Sequence, residues 1–172
     1  MEESGKLYLP LSLRERKDDK MNHSAFIGDY SAKVDDKGRL VFPADLKCSA
    51  NNGGEPKFVV HKDIYQDCLE VYSFEDWQEM ADSVLSKLDL FNPNHANFWR
   101  KYMQDSAVVT PDPKLGRILI PNNLKEMVGL TKDVIFAGKG FKIEIWDAER
   151  YRDQEMSVID YQTLAQGLSQ KR

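Results

Sequence analysis

Two short stretches of the sequence each combine an acid, a lysine and a Gly-Arg pair, followed by an apolar run and a proline. The first is DDKGRLVFP, from Asp35 to Pro43, and the second is DPKLGRILIP, from Asp112 to Pro121. Glycine permits a sharp chain reversal, and an arginine beside it presents a planar fork of donors that matches phosphate oxygens or the edge of guanine. These residue types at this spacing predict a turn that binds an anionic partner.

The duplication of the turn decides between a structural and a functional interpretation. A single copy is most often structural, with solvated charges, because glycine turns are common. A structural turn needs Gly38 and Gly116, but it has no evident need for Arg39 and Arg117 in both copies. We therefore favour a functional role for the arginines. In the first copy, Asp35 either caps the turn or orients the arginine through an ion pair.

The repeat extends well beyond the two turns. Five residues of the first copy recur in the second at a constant offset: Gly38, Arg39, Pro43, Leu46 and Lys47 correspond to Gly116, Arg117, Pro121, Leu124 and Lys125. Each unit is predicted to contain a strand, a turn, a strand, a short helix and two further strands. A unit of this size buries little apolar surface alone, so the two units are expected to pack together as a pseudo-symmetric pair.

Helical patterns connect the two units. Ser73 and Asp76 suggest a capped helix, whose apolar stripe is Trp77, Met80, Ala81, Val84, Leu85 and Leu88. Asn92-Pro93 starts a second helix. The predicted organisation is a flexible N-terminal extension at 1–25, a first repeat at 26–73, linking helices at 74–106, a second repeat at 107–155, and a C-terminal helix or tail at 156–172. The fold class is α+β.

Composition sets limits on the function. The net charge is -4, which does not favour a nucleic-acid partner, but the segment from Glu75 to Asp89 has five acids and one base and accounts for all of it. No apolar run is long enough to cross a bilayer, and the layout of the N-terminus differs from that of a secretory signal. Cys48 and Cys68 match no ligand spacing, which predicts free thiols in a reducing cytoplasm.

The remaining candidates for chemistry are weaker. His23, His61 and His95 are scattered, and no pair has metal-ligand spacing. His61 followed by Cys68 raises the possibility of a thiol site, although a loop leading into a buried strand explains the same residues. No metal, cofactor, small-molecule substrate or catalytic constellation is indicated, so we expect a protein that is not an enzyme.

The segments FIGDY, VDDKGRLVFPADLK, CLEVYSFEDW, DPKLGRILIPNNLKEMVGLTKDVIF and KIEIWD together resemble the MraZ family of bacterial transcriptional regulators. The resemblance runs from about Phe26 to about Tyr151. It implies tandem swapped-hairpin AbrB-like β-barrel repeats, fused as an intrachain pseudo-dimer with interspersed helices. It also implies a ring homo-oligomer that binds direct repeats in the promoter DNA of the division and cell wall gene cluster, including its own gene, in the cytoplasm and nucleoid.

Carried over by this resemblance, the DNA-binding residues are Arg39 and Arg117, with Lys37 and Lys114 as neighbours. The turn-forming residues are Asp35, Gly38, Asp112 and Gly116. The second copy separates its acid from its glycine by one residue more than the first. This spacing predicts a bulged tip at which Lys114 points differently from Lys37, and it makes Arg39 the better expected contact.

Two other interpretations stand beside this one. The first is an AbrB-fold protein-interaction module, antitoxin-like or an assembly scaffold, that grips a protein with its aromatic helices and does not bind DNA specifically. The doubled arginine turn argues against it, since such a module would not require it. The second is a hydrolase or thiol enzyme that uses His61 and Cys68.

Overall fold

The structure is a computed structural model that describes residues 25–49 and 55–170. The predicted flexible extension at 1–25 therefore lies, except for its last residue, outside the described residues, and so does His23.

The eight strands in the described residues fall into two sets of four, one from each half of the chain. The first set is β1 Phe26–Lys33, β2 Arg39–Val41, β3 Phe58–Lys62 and β4 Leu69–Ser73. The second set is β5 Ser106–Val109, β6 Arg117–Leu119, β7 Asp133–Gly140 and β8 Ile143–Asp147. They form a six-stranded sheet of order β1-β7-β8-β4-β3-β5 and a two-stranded ribbon of β2 and β6.

The strand pairing exchanges partners between the two halves of the chain. The first strand of each half pairs with the third strand of the other, as β1 with β7 and β5 with β3. The two second strands pair with each other, and so do the two fourth strands. All of these pairings are antiparallel. β1 and β5 form the edges of the larger sheet, so the described residues do not close it into a barrel.

Six helices complete the described residues, which makes the fold α+β as predicted. They are α1 Ala44–Ser49, α2 Phe74–Leu85, α3 Pro93–Gln104, α4 Asn122–Met127, α5 Ala148–Asp153 and α6 Val158–Ser169. The side chain of Ser73 caps α2 by accepting from the amide of Asp76, and Asn92 caps α3. Gly129 follows α4 with φ of 63°, the left-handed conformation expected of a glycine at this position.

Pro43 and Pro121 immediately precede the helices α1 and α4, which begin at Ala44 and Asn122. One element differs from the sequence prediction. The second repeat continues into α5, a helix that was not among the elements predicted for each unit. Asp147 starts this helix, because its carboxylate accepts from the amides of Glu149 and Arg150.

The main core lies between the inner face of the larger sheet and the β2–β6 ribbon. Leu40 and Ile118, a directly opposed pair in the ribbon, are both buried in it. Phe42 follows β2 and stacks on Phe58 with ring centroids 4.5 Å apart. Since both halves contribute to one cluster, neither half has a core of its own.

The outer face of the larger sheet is covered by α2 and α3. Side chains alternate along a strand, so Val59 and His61 of β3 point away from the core side occupied by Phe58 and Val60. Of the stripe predicted for α2, Ala81 is buried, whereas Met80 and Val84 are only half-buried and line an unfilled groove.

Candidate nucleic-acid interface

The first Gly-Arg turn is organised by one carboxylate. Asp35 Oδ1 accepts from the amides of Lys37 and Arg39 at 2.9 and 2.8 Å, and Oδ2 accepts from Arg39 Nε at 2.8 Å. Gly38 closes the turn with φ of 77°, and its amide donates to the Asp35 carbonyl. Asp35 therefore both caps the turn and orients the arginine, so the two roles left open by the sequence are combined.

The second turn repeats this arrangement over one more residue. Asp112 Oδ1 accepts from the amides of Lys114 and Leu115, and Oδ2 accepts from Arg117 Nε at 2.7 Å. The amide of Gly116 donates to the Asp112 carbonyl, four residues back instead of three. The tip is wider, in line with the spacing, yet its arginine is held by the same atom pair as in the first turn.

Both arginines lie on one exposed face of the ribbon. Arg39 is opposite Leu119 and Arg117 is opposite Val41, on either side of the buried pair at the centre. Diagonal neighbours of this kind are about 7–8 Å apart in a ladder. Since their Nε atoms are occupied by aspartates, the guanidinium η-nitrogens remain, and in the described residues no acceptor bonds to them. The ribbon thus presents two oriented cationic forks.

The aspartates remain ionised at physiological pH. Backbone amide donors, followed by the arginine side chain, hold the pKa of Asp112 well below its usual range. The amide of Arg39 and its side chain likewise lower the pKa of Asp35. Each carboxylate therefore stays an acceptor that fixes the arginine, and it offsets part of the arginine charge. The exposed Lys37 and Lys114 contribute further positive charge at the tips.

Two lysines that sequence reasoning did not assign to the site reach the turns from the opposite halves. Lys125 Nζ, at the end of α4, donates to the carbonyl of Gly38 at 3.2 Å. Lys47 Nζ, from α1, lies 3.9 Å from the position that a Cβ would take at Gly116. Their recurrence at the same offset as the glycines was the available signal. Its meaning depends on the exchange of strands between the halves, which brings each helix to the other turn.

The residues of the contrasting thiol-enzyme hypothesis do not form a catalytic pair. Cys68 Sγ lies 3.6 Å from Glu144 Oε2, and burial together with that carboxylate raises the pKa of the thiol. A thiolate is the nucleophilic form of cysteine, so this environment suppresses the chemistry. Cys48 is exposed, and both cysteines are free, as predicted.

The burial of His61 instead predicts a measurable pH dependence of the free energy of unfolding. Burial lowers its pKa from 6.5 to about 4, against the opposing effects of Asp105 and Asp63. Between these values the unfolded chain binds more protons, so we expect the free energy of unfolding to fall by about 2–3 kcal/mol as the pH drops from 6.5 to 4.5. Denaturant titrations at fixed protein concentration over this range measure it.

The control for this prediction is a pair of variants. His61→Gln should lose this part of the pH dependence, while His95→Gln, at a half-buried position in the first turn of α3, should keep it. Asp35 and Asp112 do not contribute to this pH dependence. Their pKa values are lowered in the folded protein, so the stability that they contribute is lost only below pH 3.8, which is their pKa in the unfolded chain. Equal pH slopes for the wild type and His61→Gln would contradict the assignment.

No group of three or more His, Cys, Asp or Glu side chains within the described ranges is arranged to hold a metal ion. Nor does any helix there combine the length and apolarity needed to span a bilayer.

The fold and the paired turns define a duplicated α+β protein in which one exposed ribbon displays two aspartate-held arginines. A family model described as "MraZ protein, putative antitoxin-like" matches residues 25–101 and 103–166. The chain belongs to the MraZ family, whose curated members carry the name transcriptional regulator and are not enzymes. The resemblance inferred from the sequence is thereby confirmed.

Curated relatives match over most of their length. The "Transcriptional regulator MraZ" of Bacteroides fragilis is 40% identical over 125 residues, which are 73% of this chain and 78% of the relative. That of Bacteroides thetaiotaomicron is 36% identical over 79% of this chain and 86% of its own. That of Clostridium beijerinckii is 35% identical over 84% and 96%. Transcription regulation is therefore the function that the family supports.

Proposed function

We propose that this protein is a sequence-specific DNA-binding regulator that contacts promoter DNA through Arg39 and Arg117. The observation that carries the proposal is the ribbon face on which both guanidinium groups are fixed by aspartates at 2.8 and 2.7 Å. A two-stranded ribbon fits the major groove, and an arginine fork matches the O6 and N7 acceptors of guanine. Lys37 and Lys114 add phosphate contacts at the tips.

The identity of the DNA target is inferred from family membership and not from the geometry of the ribbon. By resemblance to the family, the operator consists of direct repeats upstream of the division and cell wall gene cluster that includes the protein's own gene. The place of action is the cytoplasm and nucleoid. The strand exchange between β1 and β7, and between β5 and β3, supports the swapped-hairpin AbrB-like description of the fold.

Ring assembly accounts for specific binding by an acidic protein. One ribbon with a few cations binds DNA weakly at physiological salt, because phosphate neutralisation drives affinity. Linking several copies makes later contacts intramolecular and raises avidity by roughly 10²–10⁴-fold without a new contact type. Direct repeats in DNA provide the matching series of sites.

A protein-interaction module remains the second candidate, and a specific observation favours it. Phe91, in the loop between α2 and α3, is 99% exposed, and Tyr65, in the loop between β3 and β4, is 90% exposed. Exposed aromatic residues of this kind are typical of protein interfaces. The two candidates differ in their dependence on Arg39.

Fluorescence anisotropy tests the proposal with DNA from upstream of the protein's own gene, scrambled DNA and a salt series. We expect saturable binding that prefers the upstream DNA and weakens with salt. Arg39→Ala should lower the affinity by at least about fivefold, the smallest effect of losing one good base contact, and by more where the loss recurs in every copy of a ring. Arg100→Ala, at an exposed arginine on α3, removes the same charge away from the ribbon and should have little effect.

Equal binding to scrambled DNA, unchanged by Arg39→Ala, would reject the DNA-binding proposal and favour the interaction module.

A further inference from the structure

A groove on the outer face of the larger sheet is left unfilled. It has a volume of about 560 Å³ and lies between α2, α3 and the β7–β8 turn. We call it the outer groove, and its apolar walls comprise Met80, Val84, Leu88, Phe98 and Phe141. Its size and apolar lining are those of a site that receives side chains or a small molecule.

The outer groove contains one buried acceptor without a partner. Ser106 donates its single hydroxyl hydrogen to the carbonyl of Tyr102, so it can only accept from His61 Nδ1, 2.9 Å away. His61 therefore carries its proton on Nδ1 and presents a lone pair at Nε2, which has no partner among the described residues. His61 is 3% exposed. An occupant of the groove is favoured if it brings an N–H or O–H donor.

The charges in the outer groove favour an uncharged occupant. Lys142 Nζ bonds to Glu70 Oε1, and Asp63 Oδ2 lies 4.0 Å from the same nitrogen. With Lys87, which also lines the groove, the lining has two acids and two lysines and therefore no net charge. An additional charge would enter an apolar site without a partner, which is costly.

Helix α6 has a surface that is complementary to the outer groove, because it is apolar and uncharged along one side. Every residue of this helix is exposed. Three- and four-residue spacings place its apolar stripe on one side: Val158, Tyr161, Leu164, Ala165 and Leu168. The stripe carries no charge, and its one polar atom is the hydroxyl of Tyr161. An exposed helix with an unpartnered apolar stripe is typical of an interface.

We propose that α6 of one copy of this chain docks into the outer groove of a second copy, with the Tyr161 hydroxyl donating to His61 Nε2. The occupant is uncharged, apolar and equipped with one donor, which are the three properties that the groove requires. Helix-in-groove binding with anchors at three- and four-residue spacing is a recurrent mode of recognition.

Helix and groove are different surfaces, so the contact is head-to-tail. Each copy offers one helix and one groove, and repetition closes into a ring when the rotation between copies permits it. This inference deepens the ring assembly of the proposed function by naming its interface. It is tested without DNA, so failure of the interface and failure of DNA binding are separate outcomes.

Sedimentation velocity on the full chain tests the helix. Leu164→Glu should weaken assembly at least about a hundredfold, because a glutamate would be buried in the groove. Thr163→Glu adds the same charge on the opposite side of α6 and should assemble like the wild type. Tyr161→Phe should weaken assembly about fivefold through loss of one hydrogen bond. These positions are exposed, so the variants are expected to fold.

A mixing experiment tests the polarity of the contact. Phe98→Glu disables the groove, at a residue that is 42% exposed, and leaves α6 intact. Each of Phe98→Glu and Leu164→Glu should be monomeric alone, and their mixture should give a one-to-one dimer with one good helix-groove pair. Circular dichroism confirms that both are folded.

Three outcomes would overturn the proposal. They are a Leu164→Glu variant that assembles like the wild type, a wild-type chain that is monomeric at all concentrations, and a mixture that forms no dimer.

Discussion

Replacing Arg39 and Arg117 together by alanine is expected to lower the affinity for the upstream DNA by at least about thirtyfold. Each guanidinium that contacts a guanine edge contributes about 1–3 kcal/mol, and the two lie on one ribbon face with equivalent aspartate contacts. In the ring that we propose, the loss would recur in every copy, so the measured effect should exceed that of a single pair of contacts. Anisotropy titrations at fixed salt measure it.

The matched control replaces both arginines by lysine. Lysine keeps the positive charge but loses the planar fork that contacts guanine at two points. The lysine variant should therefore retain the salt dependence of binding while losing preference for upstream over scrambled DNA, whereas the alanine variant should lose the preference and part of the salt dependence, since Lys37 and Lys114 remain. If the lysine variant keeps full preference, the arginines contact phosphate only, and another element selects the sequence.

The turns could be predicted from the sequence because their geometry is local. Asp35, Gly38 and Arg39 lie within five residues, and the carboxylate reaches only the amides and guanidinium of its own turn. The wider second turn could also be predicted, because the extra residue lengthens the hydrogen-bonded loop between Asp112 and Gly116. Local hydrogen bonding of aspartate to backbone amides is a property of short segments.

The contacts that depend on the exchange of strands between the two halves could not be predicted from the sequence. Lys125 is far from Gly38 along the chain, and it reaches that turn because β2 pairs with β6. Helix α5 was missed for a different reason. The prediction gave each unit two strands after its short helix and no further element, and Asp147, as a cap, is the residue that indicates where β8 ends.

The outer groove shows a further limit of pattern reasoning. The spacing of apolar residues on α2 identified the side that faces the sheet, but periodicity contains no information about how closely the helix approaches it. Ala81 is buried, whereas Met80 and Val84 border open space. This incompletely covered helix face is the observation from which we propose the docking of α6.

Phe42→Ala is expected to lower the free energy of unfolding by about 3–5 kcal/mol, the usual cost of removing a fully buried phenylalanine. Phe42 is 2% exposed, and its ring stacks on Phe58 and meets the edge of Phe136 at 5.5 Å. Its amide also donates to the carbonyl of Gly116, so the residue joins the first repeat to the second turn. Denaturant unfolding followed by circular dichroism measures the change.

Phe91→Ala is the control, because it removes the same atoms from a side chain that is 99% exposed and should leave the free energy of unfolding nearly unchanged. Both variants are compared at one protein concentration, so that any association between copies contributes equally to the apparent stability. A loss below about 1 kcal/mol for Phe42→Ala would mean that the core relaxes around the missing ring. The ribbon would then depend less on this contact between the repeats than its position implies, and the two turns would be held in place chiefly by the β2–β6 pairing.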